Sequence, residues 1–209
     1  MSTSTERVAV VSSALSQLKP AWDTVQHIDL ISETVNQALL ASGFDIHDVD
    51  VVIDCGSDVL DGRSISNCGF LGQMGAHHKE ESRVEEDGLF GAMYAVNKII
   101  GGGAEVALVI AYSKPSESIV ENYYRTIADP FYQRPVGLNK AVAAGLLANQ
   151  YLTETDATEE ELAEIAARAW TRAAANPKVS DARAYTAREI LDSPVAASPL
   201  NQLSLSRPV

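Results

Sequence analysis

A chain of 209 residues with 46% hydrophobic and 21% charged side chains carries enough apolar mass for one sizeable core and reads as an ordinary globular protein. Its net charge of -12 argues against broad nucleic-acid binding and against adhesion to an anionic membrane, while leaving room for a local cationic site that takes a polyanionic ligand. No apolar run approaches the roughly 20 residues of a membrane span. Residues 1–6 carry no hydrophobic signal segment, and Cys55 and Cys68 fit no metal-ligand spacing, so a cytoplasmic, reducing location is expected.

Residues 8–11 (Val-Ala-Val-Val) predict a buried first strand, followed by a loop broken at Pro20. Ile28, Ile31, Val35, Ala38 and Leu39 keep helical spacing, and Gly43 supplies the stop. Val51, Val52 and Ile53 predict a second strand that ends at Asp54-Cys55-Gly56. Residues 57–75 are polar and punctuated by glycine; their later part, from Ile65 to Met74, is expected to be helical. Residues 82–86 predict a short polar strand. Asp87 then stands where it can cap a helix in which Leu89, Ala92, Met93, Val96, Ile99 and Ile100 recur at 3.6-residue spacing. That spacing predicts one wide, buried apolar face. Gly101, Gly102 and Gly103 end the helix, and residues 106–111 predict a strand covered on both faces.

Strands and helices alternating at these lengths predict an α/β fold, a mostly parallel sheet with right-handed crossovers and helices on both faces. Ligands of such sheets sit at the carboxyl ends of strands, here Asp54-Cys55-Gly56, Glu86-Asp87-Gly88 and Ala111-Tyr112-Ser113-Lys114. The texture changes after Lys114, which divides the chain into an α/β core over residues 1–114 and a helical region over 115–209. Residues 122–135 are aromatic and irregular, with Tyr123, Tyr124, Phe131 and Tyr132, and residues 138–151 predict an Ala- and Leu-rich helix. Thr158 and Glu161 form a capping box before a helix expected to bury Leu162, Ile165, Ala166, Ala169 and Ala173, and Asn176-Pro177 ends it. Arg168, Arg172, Lys178, Arg183 and Arg188 make this end locally basic.

Glu80, Glu81, Glu85, Glu86 and Asp87 resemble a carboxylate cluster, but consecutive charges favour solvation for the first two, and Asp87 is better explained as the cap. His77 and His78 are adjacent, so their rings diverge, and no third metal ligand is evident. The three glycines at 101–103 lack GxGxxG spacing and follow a helix, which argues against a dinucleotide site. Both cysteines read as small buried apolar residues.

Four features together resemble the N-terminal half of the thiolase superfamily, nearest the branch akin to sterol-carrier-protein thiolases. They are Asp61-Gly-Arg-Ser-Ile-Ser66; Lys79-Glu-Glu-Ser-Arg-Val-Glu-Glu-Asp-Gly88 leading into an Ala-rich helix; Gly102-Gly-Ala-Glu-Val-Ala-Leu-Val-Ile-Ala-Tyr-Ser-Lys114; and a tail with Ala-Ala-Asn-Pro-Lys178, Tyr185-Thr, Ile190-Leu and Ser198-Pro-Leu. The resemblance spans nearly the whole chain. It implies a thiolase-like N-terminal α/β core over 1–114 and a helical region like the thiolase loop domain over 115–209.

Thiolases hold their acyl-accepting cysteine on the first turn of the central helix, a position that falls here at Gly88 or Leu89, neither of which can form a thioester. The family's catalytic histidines and second cysteine belong to a C-terminal half expected beyond Val209, and the last strand of the N-terminal half is not found either. A companion thiolase-like chain or a separate C-terminal half is therefore expected to complete the fold, with a dimer contact from Ser82 to Ile100. By analogy an OB-fold acyl-CoA-binding protein is a further partner. The resemblance implies a subunit of an acyltransferase complex that forms or cleaves C–C bonds in CoA thioesters, contributing scaffold and CoA binding. A non-catalytic pseudo-thiolase scaffold is the alternative, and a retro-aldol lyase subunit using tyrosines a further one. No catalytic residue, metal or tightly bound cofactor is assigned; coenzyme A or acyl-CoA is expected as substrate. Arg168, Arg172 and Lys178 are the candidate cations for its phosphates, the two arginines sharing a helix face.

Overall fold

The structure is a computed structural model that describes residues 7–57, 69–85 and 87–206. The chain divides into two compact units, the first formed by the described residues of Met1–Ser16 and Trp22–Ser118, the second by Gln17–Ala21 with the described residues of Ile119–Val209.

In the first unit, helix α1 (His27–Ser42) turns its Ile31 and Val35 inward and stops at Gly43, whose φ of 76° admits the left-handed turn and whose N–H is donated to the Leu39 carbonyl. Strands β1 (Val51–Gly56), β2 (Glu80–Glu85) and β3 (Ala107–Ala111) form a parallel sheet in the order β2-β1-β3. Val52 stands opposite Glu81 and Leu108, and Asp54 opposite Arg83 and Ile110. The central strand β1 is buried at every residue, as a strand covered on both faces must be. One face of the sheet packs with Ile31, Val35, Phe70, Met74 and Tyr112 around Val52 and Ile110. The other places Val51, Ile53 and Cys55 beneath Ala95 of helix α2 (Gly88–Ile100).

The second unit holds α3 (Val120–Ile127), α4 (Lys140–Glu154), α5 (Glu159–Ala174), α6 (Ala187–Leu191) and the antiparallel pair β4 (Val195–Ala197) and β5 (Leu200–Asn201). Thr158 and Glu161 close the expected capping box on α5, and Thr186 with Glu189 repeats it on α6. Gly145 of α4 is needed for close approach, because a Cβ there would lie 2.9 Å from the Ala197 carbonyl oxygen. Leu18 and Val179 meet in a parallel bridge, fixed by the Leu18 N–H donated to the Lys178 carbonyl at 2.7 Å.

Four sequence expectations need correction. Residues 8–11 join no strand and Val10 is 90% exposed, because among the described residues no neighbouring strand offers a ladder to them. Residues 70–75 form turns in place of the end of a helix; their glycines favour turning over helix propagation, and Gly75 adopts a φ of 70°. The apolar face of α2 is not buried: Leu89, Phe90, Met93, Val96 and Ile100 are exposed, and the residues turned to the sheet are Gly91 and Ala95. On α5 the buried position is Ala163, while Ile165 is exposed, so the inward face is rotated from the one predicted. The segment around Asp58, Asp61 and Arg63, including Cys68, lies outside the described residues.

Candidate functional site

Strand β2 leads to Asp87, whose side chain accepts the Leu89 N–H at 2.9 Å and the Phe90 N–H at 3.4 Å. Two amides of the α2 N-terminus are thereby committed to the cap, which places a fixed negative charge at the positive end of the helix dipole. Gly88 opens the helix and Leu89, 70% exposed, stands on its first turn. The turn presents a backbone and an alkyl side chain, with no nucleophile on it.

Cys55 lies below the same helix. Its Sγ would be 2.2 Å from a Cβ added at Gly91, so glycine at 91 is what lets α2 sit on the sheet. Burial pushes the Cys55 thiol up to about 11, and the charge of Asp54 adds to the effect. A buried, fully protonated thiol is a packing group, as expected from the sequence.

The opposite face of β1 carries what the sequence reading missed. Asp54 is fully buried, and its Oδ2 accepts from Arg83 Nη1 at 2.5 Å and from Tyr112 Oη at 3.2 Å. Arg83 Nη1 also donates to Tyr112 Oη at 2.9 Å. Glu81, half-buried on β2, stands two residues before Arg83 and so shares its side of the strand, bringing a second carboxyl group to this face. Burial first, and that second carboxyl next, raise Asp54 to about 6 against the opposing pull of Arg83. The rings of His27, Phe70 and Tyr112 stack edge to face around the cluster, with centroids 5.2–5.7 Å apart. Beside them is a cleft of about 430 Å³ whose walls include Asp23, His27, Phe70 and the ion pair of buried Lys114 with exposed Glu117. The signal for Asp54 in the sequence was an acid inside an otherwise apolar run.

The remaining acids and histidines divide. Glu80 pairs with Lys98 of α2, Glu81 is half-buried and Glu85 is exposed, so among the described residues the carboxylates of this stretch do not converge on one site. His77 and His78 are exposed, and His78 has a φ of 61°. Among the described residues no group of three His, Cys, Asp or Glu side chains is placed to hold a metal. No helix among them is long and apolar enough to cross a membrane.

In the second unit Arg168 and Arg172 are exposed on α5, one helical turn apart. Neither makes an ion pair with the acids of the first turn among the described residues, whereas Arg183 pairs with Glu189 and Arg188 with Asp192. Lys178 is half-buried just past the helix end, its backbone held by Asn176 Oδ1 at 2.9 Å and by Leu18. The guanidinium of Arg183 lies 3.7 Å from the ring centroid of Tyr185, which packs in turn on Trp170. Of the aromatic segment, Tyr123 stacks on Tyr124, Lys140 lies over Tyr124, and Tyr132 is exposed.

The sheet with its flanking helices is a thiolase-like α/β fold. Two solved structures place it. The chain described as "Ltp2-ChsH2(DUF35) aldolase" superposes with a TM-score of 0.73 and 20% identity over 93% of this chain and 51% of that one. An acetyl-CoA acetyltransferase of Bacillus anthracis matches with a TM-score of 0.57 and 17% identity over 79% of this chain and 46% of that one. This chain spans about half the length of each. No protein-family profile matches it, and no curated protein matches its sequence.

Proposed function

We propose that this chain is a thiolase-like subunit of a complex acting on CoA thioesters, making or cleaving a carbon–carbon bond next to the thioester carbonyl. The chain supplies scaffold and part of the CoA site, and another polypeptide supplies the acyl-accepting group. The observation that carries the reading is the first turn of α2: a capped helix N-terminus in a thiolase-like half, with Gly88 and Leu89 where a nucleophile would be needed. Arg168 and Arg172, exposed and one turn apart, with Lys178 beyond the helix end, suit the 3′-phosphate and pyrophosphate of CoA.

The partner is a companion thiolase-like chain or C-terminal half, and support for it comes from α2 itself. Leu89, Met93, Val96 and Ile100 form one outward stripe, while Gly91 and Ala95 face the sheet. A helix apolar on both sides belongs between two layers. The likeness to the solved Ltp2-ChsH2(DUF35) aldolase favours a second reading, retro-aldol cleavage of an acyl-CoA by a hetero-complex. An OB-fold acyl-CoA-binding protein remains an expected partner.

Two measurements test this. Calorimetry with CoA is expected to show binding that weakens about tenfold in Arg172→Ala, the loss of one charge-assisted phosphate contact; equal binding by the variant removes the assignment of these cations. Acyl-CoA offered to the purified chain alone is expected to leave its intact mass unchanged. A covalent acyl adduct on this polypeptide would overturn the division of labour.

A further inference from the structure

We propose that the cleft of the first unit is a binding site for a small monocarboxylate with an apolar tail, its acid end held by Lys114. The cleft stands where a parallel sheet puts its ligands. β3 ends at Ala111 and the chain runs on to Lys114, while the start of α1 comes up to the same rim. The walls all belong to the first unit, and the volume of about 430 Å³ falls within the roughly 300–1,000 Å³ of small-ligand pockets.

Lys114 carries the argument. Its side chain is 7% exposed, and a buried ammonium is costly unless acceptors replace the water it has lost. An ammonium has three N–H donors. Among the described residues one of them is used, by Glu117 Oε1 at 2.7 Å. The others belong to a wall of the cleft, so an acceptor seated there would satisfy them. Glu117 is itself 40% exposed; solvent screens its charge, and it offsets the ammonium only in part.

The start of α1 adds to the same side. Gln26, His27 and Ile28 line the cleft, and Gln26 at the N-cap position makes no side-chain bond to the first turn. The positive end of the dipole of this 16-residue helix, worth about half a charge, therefore meets the cleft uncapped. Asp29 of the same turn is exposed and is not a wall.

Charge and shape then define the ligand. A partly offset ammonium with the end of a helix balances a single negative charge. Asp23 and Glu117 in the walls repel a second one, which disfavours a phosphate dianion. Val25, Ile28 and Phe70 offer apolar surface to a tail. The site uses none of the cations assigned to CoA, so the two readings stand or fall separately.

Saturation-transfer NMR on the full chain tests it with hexanoate, its uncharged analogue hexanamide and inorganic phosphate. Hexanoate is expected to bind saturably, about tenfold more tightly than hexanamide, the worth of one charge-assisted hydrogen bond, and phosphate is expected not to displace it. Lys114→Met keeps most of the stem, removes the cation and is expected to weaken hexanoate binding by about tenfold. Thr24→Glu adds a like charge at an exposed wall position and is expected to weaken it by about threefold or more, leaving the core untouched. Absence of saturable hexanoate binding overturns the proposal, as does equal binding of hexanamide or phosphate. So does full affinity in either folded variant, and Thr24→Glu decides alone if Lys114→Met does not fold.

Discussion

At the scale of single residues, the contact between Gly91 and Cys55 sets how closely the central helix approaches the sheet. A Cβ at 91 would meet Cys55 Sγ at 2.2 Å and Val109 Cγ1 at 3.0 Å, and Cys55, on the fully buried β1, cannot swing away into solvent. Gly91→Ala is expected to cost about 1–3 kcal/mol, the range for overpacking a filled core, despite the better helix propensity of alanine. Denaturant unfolding checks it, and pairing the change with Cys55→Ala supplies the control. If the clash is the cause, the double variant recovers part of the loss and the two changes are not additive. The same burial makes Cys55 unreactive. With its thiol pushed up to about 11, the thiolate fraction at pH 8 is lower than that of a free cysteine by about a hundredfold. Peptide mapping after alkylation at that pH is expected to find Cys55 unmodified in the folded chain and modified in denaturant.

At the scale of elements, the caps are where local sequence decides most. Thr158→Ala removes the acceptor for the Glu161 N–H, held at 3.2 Å, and the hydroxyl that donates to Glu161 Oε2 at 3.4 Å. The expected loss is about 1 kcal/mol, seen as a lower denaturant midpoint with unchanged slope. Asp87, Thr158 and the Gly43 stop were legible because a cap is made from neighbours within a turn. The parallel sheet was legible for a similar reason, since strand and helix lengths alternate in order. Residues 8–11 were misread because β-propensity reports a side chain's fitness for a sheet, while the ladder depends on a partner strand elsewhere. Helix α2 was misread because periodicity detects large apolar residues; Gly91 and Ala95, which face the sheet, contribute almost nothing to that signal. The Asp54 cluster was invisible for a third reason. Arg83 lies 29 residues away and Tyr112 58, and only the register of three strands brings them together.

At the scale of the whole molecule, a net charge of -12 and a broad apolar stripe pull in opposite directions. Like charge keeps copies apart at low ionic strength, and salt weakens that repulsion while leaving apolar attraction intact. Leu89, Met93, Val96 and Ile100 together exceed the scattered single side chains that a monomer ordinarily leaves in water. The chain purified alone is therefore expected to sediment above its 22.4 kDa mass at 0.15 M salt, as a self-associated stand-in for the complex with its proper partner. Leu89→Glu with Met93→Glu places two charges on that stripe, on the side of the helix away from Gly91 and Ala95, so the fold is expected to survive with an unchanged circular dichroism spectrum. Each apolar side chain withdrawn from an interface forfeits about 1.5–3 kcal/mol, so the pair weakens association by a factor of at least about a hundred and returns the chain to a monomer. Folded wild-type protein that stays monomeric at high concentration and high salt would mean that α2 needs no second layer, and the case for a companion chain would lose its physical basis.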